Sequence, residues 1–379
     1  MTTNTQKIKT GQSTNFIVKL PTWLTNINSL FYYYLFLVVV GIIFFATSLF
    51  INSFTTPFTG DYVTQQYAFY TNGYDDWWHF FRTGKFVLYD TNTFLGVDNI
   101  GSNSFYYLFD PFFLPILMFP RQFVPQGMAI LTIFKMALSG MAFYAYMRYL
   151  GASRRASKIT GLAYAFSGWI TWYLWFNHFT GVTVAFPLIL LGIEYVLKNK
   201  KPLVLMSSIC LIGFINFFFM FTYVLCALFY ALFRYIQRIK INSKKDNLII
   251  LLLVVVGFAI GILMPMMVVY PSLTHALSSP RASNNGYSHY LSEALKTSNL
   301  KKFFDLIFSW TAISNSDVDK ARFLYPFIEF IFPVTSCRGT PLTIYANDTY
   351  DNLAGSFYCF IPMLLLLFPA FKHSIKQKH

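Results

Sequence analysis

Long apolar runs alternate along this chain with short polar stretches rich in lysine and arginine. The runs cover Phe31–Phe50 and residues 125–148, 159–177, 180–197, 202–217, 218–236, 247–270 and 353–371. Each can form a helix of roughly 16–24 residues, and a hydrocarbon core needs about 20. Strands cross a bilayer only as a closed barrel, in segments of about ten residues with alternating polarity. These runs are too long and too uniformly apolar for that. The pattern predicts an all-α polytopic membrane protein with about eight transmembrane helices plus interfacial or re-entrant ones.

The start, Met1–Ser29, is polar and carries Lys7, Lys9 and Lys19, and no small-x-small cleavage site follows the first run. Phe31–Phe50 therefore reads as an uncleaved span rather than a removed leader. The segment Tyr106–Pro120 is apolar but short, and holds Asp110, Pro111, Pro115 and Pro120. It reads as a re-entrant or interfacial helix pair. Tight turns are expected near Asn177–His178 and near Asn216.

Charge placement sets the expected orientation. Basic residues follow alternate runs: Arg148, Arg154, Arg155 and Lys158; Lys198, Lys200 and Lys201; Arg234, Arg238, Lys240, Lys244 and Lys245; Lys372, Lys376 and Lys378. The positive-inside rule places these ends in the cytoplasm. The expected layout is a cytoplasmic segment 1–29, a transmembrane domain 30–371 with long outer loops 51–104 and 271–352, and a cytoplasmic tail 372–379. A full crossing by 106–120 would turn the later basic loops outward.

Composition agrees. Hydrophobic residues make up 55% and charged ones 12%, against roughly 25% charged in a soluble domain. That excludes a disordered chain, a coiled coil and a small disulfide scaffold. The net charge of +14 reads as orientation, not as a nucleic-acid footprint. The cysteines Cys210, Cys226, Cys337 and Cys359 form no CxxC pair, so neither a metal site nor a redox pair is indicated. No GxxxxGK[ST], HExxH or GxSxG occurs.

Candidate chemistry concentrates in the first outer loop. Asp61 follows the first span closely and has two readings. One is a helix cap or hydrated loop acid. The other is a general base, or a carboxylate holding a divalent cation beside a lipid-linked phosphate, since partial desolvation raises a carboxyl pKa and suits it to take a proton. Further on, Trp77, Phe80, Phe81 and Gly84 share one helical stripe, and Asp75, Asp76, His79 and Arg82 the other face. With Trp78, these residues predict a helix in the membrane interface, with tryptophan at headgroup depth.

Lys135 lies deep in the 125–148 run. It either meets a ligand phosphate in a cleft or pairs with an acid such as Asp110, because an unpaired charge there costs about 2.5–3.5 kcal/mol on insertion scales. His178 either contacts a phosphate or sugar hydroxyl or is a plain interfacial histidine. Arg281 either holds a phosphate bidentately or is a loop arginine. Glu194 and Arg148 read as snorkelling to the near face.

The order Gly60-Asp61, Gln65-Gln66-Tyr67, Gly84-Lys85, Leu88-Tyr89, Gly96 and Asn103–Phe112 resembles the start of the bacterial YfhO family. Gly161–Gly168, Phe186–Gly192 and the stretch Pro271–Arg281 fit the same family. The likeness runs over about residues 30–285 and is weaker beyond. It implies a GT-C-type membrane glycosyltransferase of the bacterial cell membrane. Such an enzyme moves a sugar from a polyprenyl-phosphate donor to a surface glycopolymer such as teichoic or lipoteichoic acid. Asp61 matches the catalytic or metal-associated carboxylate of the first outer loop. Gln65, Gln66, Lys135, His178 and Arg281 are the candidate phosphate or sugar contacts. Mg²⁺ or Mn²⁺ is the cation that role would use, although a single carboxylate outside a DxD binds it weakly. Typical members are longer, with more spans and an outer soluble part. Two other classes fit the composition: a lipid or polymer transporter, which needs broken helices and mid-depth polar groups, and a non-catalytic scaffold of a cell-envelope complex.

Overall fold

In a computed structural model of the protein, the described residues are 27–51, 53–55, 62–91, 93, 95–168, 170, 174, 176–239 and 243–278. Helix α1 spans Ile27–Ile51. A π-helical turn, Tyr62–Gln66, runs directly into α2, Tyr67–Thr83. A two-stranded antiparallel ribbon, β1 (Tyr89–Asp90) with β2 (Val97–Asp98), leads to the short α3, Asn99–Asn103. The remaining helices are α4 (Val124–Leu150), α5 (Arg154–Ala165), α6 (Val182–Asn199), α7 (Leu203–Ile215), α8 (Phe217–Ile239), α9 (Lys244–Leu263) and α10 (Met266–Ser278). Among the described residues five stretches are long and apolar enough to cross a membrane: Asn28–Ala46, Arg121–Leu150, Asn177–Asn199, Phe217–Ile239 and Lys244–Leu263. The protein is an all-α, multi-pass membrane protein.

Local chemistry accounts for the helix limits. Ser153 caps α5 by accepting from the Ala156 N–H, and Ser243 caps α9 by accepting from the Asp246 N–H. Gly84 and Gly151 end α2 and α4 at φ +70° and +101°, a conformation that favours glycine. Asn216 breaks α7 from α8. Its backbone is extended and its Oδ1 accepts from the Phe218 and Phe219 N–H groups.

Three expectations change. The run 247–270 is two helices, because Pro265 lacks the N–H that an unbroken helix needs; its second part runs on to Ser278. The run 159–177 starts earlier, at the Ser153 cap, and its helix ends at Ala165. The segment 106–120 is not a helix pair but turns with a 3₁₀ turn at Leu114–Met118, since its three prolines remove backbone donors. The run 353–371 and the tail 372–379 lie outside the described residues.

Side-chain contacts fix helix directions. Ile215 meets Gly181 and Leu205 meets Gly192, so α7 runs against α6. Phe179 meets Phe219 and Glu194 pairs with Arg234, so α8 runs with α6. Lys198 donates to the Tyr149 carbonyl and Arg154 to Ser29. The start of α1, the ends of α4, α6 and α8, and the starts of α5 and α9 therefore share one end, which carries the basic clusters. Close backbone approaches hold the bundle: a Cβ on Gly140 would lie 2.8 Å from the Gly161 carbonyl oxygen, and one on Gly192 2.6 Å from Leu205 Cα.

At the opposite end α2 docks onto the bundle. Tyr70, Gly73 and Tyr74 are buried, with Trp77 half-buried and its Nε1 donating to the Leu108 carbonyl at 2.9 Å. That stripe lies one turn ahead of the expected one, and Phe81 stays exposed. The shift follows from Gly73, where a Cβ would sit 2.1 Å from Tyr107 Cε2. Gly73→Ala should therefore cost about 1–3 kcal/mol of overpacking. It should lower the melting temperature in detergent. Equal melting of Gly73→Ala and wild type would show that α2 does not dock on that ring.

Candidate functional site

The end away from the basic clusters holds a buried polar network built around Asn177. Asn177 opens a 3₁₀ turn, Asn177–Phe179, just ahead of α6, and is fully buried. Its Oδ1 accepts from Lys135 Nζ at 2.7 Å and from the Tyr70 hydroxyl at 2.6 Å. Its backbone carbonyl accepts from Lys135 Nζ at 2.7 Å and from the Thr180 hydroxyl at 2.8 Å. Its Nδ2 donates to Thr132 Oγ1 at 2.5 Å and to the Met128 carbonyl at 3.3 Å. One side chain thus ties α2, α4 and the turn before α6 together.

Lys135 is 3% exposed. It lies roughly 16 Å along α4 from Val124, at about 1.5 Å per residue, so water at the helix end does not solvate it. Asn177 supplies two oxygens for its three N–H donors. Asp110 adds a charge partner: it is buried, and its Oδ1 accepts from the Phe112 N–H at 2.9 Å. Burial pushes the Asp110 carboxyl above the ordinary carboxylate range, while the Lys135 ammonium and the Phe112 N–H pull it back. Both oxygen partners and an acid therefore surround the lysine.

His178 follows Asn177 and is also buried. Its Nδ1 is 2.9 Å from Gln66 Oε1. Rings of Phe105, Tyr106, Phe176 and Phe179 surround the imidazole, with centroids 5.0, 5.0, 5.9 and 4.3 Å away. Gln66 closes the π-helical turn and is buried as well. The reading of His178 as a plain interfacial histidine is replaced by a sealed one with an amide partner.

Of the sequence candidates, Gln66, Lys135 and His178 converge here through Asn177 and the turn around it. Gln65 is half-buried one residue earlier in the π turn. Trp77 and Trp78 lie farther along α2, where Arg82 sits 5.6 Å over the Trp78 ring. Asp61 and Arg281 lie outside the described residues. Sequence reasoning missed Tyr70 and Thr132, which nothing distinguishes among 26 tyrosines and a serine- and threonine-bearing helix. It placed Asn177 at a turn without its role as the hub. Among the described residues no group of three or more His, Cys, Asp or Glu side chains is arranged to hold a metal ion.

The family model described as bacterial membrane protein YfhO matches residues 33–335. The chain belongs to the YfhO family. A curated relative, the uncharacterized protein YfhO of Bacillus subtilis (strain 168), is 28% identical over 144 residues. That match covers 36% of this chain and 16% of the relative. No solved structure matches the chain.

The basic end of this family member holds a second buried ionic group. Glu194 is fully buried, and its carboxylate pairs with Arg234 through two oxygens, one at 3.0 Å from Nη2. The Tyr230 hydroxyl donates to it at 2.7 Å, and Arg238 lies 3.8 Å away. The expected snorkelling of Glu194 is thus corrected: α8 supplies arginine at the depth where the carboxylate sits, so the side chain has no need to reach water.

Proposed function

We propose that this chain acts as a GT-C-type glycosyltransferase, moving a sugar from a polyprenyl-phosphate donor in the bacterial cell membrane to a surface glycopolymer such as teichoic or lipoteichoic acid. The observation that supports this reading best is the convergence of Gln66, Lys135 and His178 at the end remote from the basic clusters. Under the positive-inside rule that end faces outward, with about eight spans and both termini in the cytoplasm. Asp61 lies five residues before Gln66 in the sequence.

In this reading Asp61 takes the proton of the acceptor hydroxyl as its oxygen bonds to the anomeric carbon. The bond from that carbon to the phosphate oxygen breaks, and its electron pair leaves on the polyprenyl phosphate. Arg281 offsets the charge of the leaving phosphate, Lys135 adds positive charge from behind Asn177 without touching it, and Gln65, Gln66 and His178 orient the sugar. Trp77, Trp78 and Phe81 hold the first outer helix at the interface, where membrane lipids meet water.

A second reading, transport of a lipid-linked sugar or polymer, draws on the helix break at Pro265 and the mid-depth Lys135. The two separate in a strain lacking the native gene, complemented with wild type or Asp61→Asn at matched membrane levels. The sugar content of the extracted surface polymer is the readout. Wild type should restore the sugar, and Asp61→Asn should restore less than about 1% of it, the loss of a general base being worth at least roughly 10²-fold. Full restoration by both would remove Asp61 from the chemistry and favour transport.

A further inference from the structure

The contact between Gln66 and His178 leaves two buried polar atoms over. Gln66 Nε2 and His178 Nε2 are both sealed from solvent, and neither has a hydrogen-bond partner among the described residues. Buried polar atoms in native proteins are almost always satisfied, so a pair of them flanking one hydrogen bond points to a group that completes it.

The chemistry of the two atoms narrows that group. Four aromatic side chains ring the imidazole, and in its neutral form one ring nitrogen donates while the other accepts. With Gln66 Oε1 accepting from Nδ1–H, the carboxamide NH₂ remains as a donor and His178 Nε2 as an acceptor. Turning the carboxamide over reverses both: its oxygen becomes the spare acceptor and Nε2–H the spare donor. Either way the pair offers one donor and one acceptor. A phosphodiester has acceptors only and satisfies half of it. A hydroxyl donates and accepts, and satisfies all of it. The π-helical turn that holds Gln66 is a geometry that recurs at functional sites.

We propose that Gln66 and His178 form a recognition site for a ring hydroxyl of the donor sugar, distinct in chemistry from the part of the site that holds the donor phosphate. The proposal rests on the transferase reading above. The donor, not the polymer acceptor, is the fitting occupant: the pair is buried within the bundle, which a ligand anchored in the bilayer by its own tail reaches more readily than a polymer arriving from water.

The test is equilibrium binding to the full chain purified in detergent. The probes are neryl phosphate alone and neryl phosphate carrying glucose, galactose, mannose or N-acetylglucosamine. In wild type at least one sugar conjugate should bind about tenfold or more tightly than neryl phosphate, the gain expected from a hydrogen-bonded pair. In Gln66→Met and in His178→Phe that ratio should fall to within about twofold, with neryl phosphate affinity unchanged. The unchanged affinity also certifies the fold. If His178→Phe does not give a monodisperse protein, His178→Asn serves, since it keeps a donor toward Gln66 but not Nε2.

The other outcomes overturn the proposal in distinguishable ways. Equal loss for neryl phosphate and its conjugates in a monodisperse variant would make this a phosphate site and leave the transferase reading standing. A preference for sugar that survives both substitutions would place hydroxyl recognition elsewhere and make the pair an internal, water-filled contact. No preference in wild type would mean the same. Binding of none of the probes, neryl phosphate included, would remove the transferase reading and this inference with it.

Discussion

Asn177→Leu should cost about 3–5 kcal/mol, the sum of a lost charge-assisted bond and a stranded buried hydroxyl. Leucine matches asparagine closely in shape, so the cost is electrostatic. It removes the Oδ1 that accepts from Lys135 and Tyr70 and the Nδ2 that donates to Thr132. Lys135 keeps the backbone carbonyl of residue 177, but its charge stays buried. The expected result is a large drop in melting temperature in detergent and reduced abundance in the membrane. Asn177→Asp should be milder, because a carboxylate still accepts from Lys135 and Tyr70 and gives up only the Nδ2 bonds. Adding Lys135→Met to Asn177→Leu should not recover the loss, because it leaves the buried Asp110 carboxylate without its charge partner. If Asn177→Leu melted with wild type, the network would not hold α2, α4 and the start of α6 together.

The network also shows what the sequence could and could not disclose. Helices α1, α4, α6 and α8 follow the apolar runs closely, because apolar length alone decides whether a segment suits the bilayer. The breaks were harder. Asn216 was marked by a polar residue between two apolar runs, and the structure separates α7 from α8 there. Pro265 lies inside a run whose hydropathy stays high, so the apolar pattern alone does not mark the break, although a proline is a common cause of one. In 106–120 the apolar pattern predicts a helix pair, while its three prolines leave turns there.

Legibility was lower still for the site. Lys135 announced itself, since a deep charge in an apolar run needs a partner. Its pairing acid was legible too, since Asp110 is the acid expected beside it, but its oxygen partner was not: Asn177 lies 42 positions away, and pairing over such a separation leaves no local pattern. The same holds for Gln66 and His178, which stand 112 positions apart. Local periodicity found the helices, and only their packing brought the polar groups into register.

At the other end of the bundle, Arg234→Met should cost about 3–5 kcal/mol, the penalty for stranding one member of a buried ion pair. The asymmetry of the pair sets this prediction. Glu194 is fully buried, while the Arg234 side chain is 25% exposed, so the arginine can turn toward water and the carboxylate cannot. Glu194→Gln should therefore cost less than Arg234→Met, because glutamine still accepts from the Tyr230 hydroxyl and leaves only a cation with a route to solvent. Arg238, 3.8 Å from the carboxylate, offsets part of the loss in Arg234→Met, and Arg234→Met with Arg238→Met should exceed either alone. Replacing both members, Glu194→Met with Arg234→Met, should return close to wild-type stability, as apolar replacements of buried pairs commonly do. Melting temperatures of wild type, Glu194→Met, Arg234→Met and the double variant in one detergent close the cycle. A coupling below about 0.5 kcal/mol between positions 194 and 234 would place them outside interaction range and restore snorkelling as the account of Glu194.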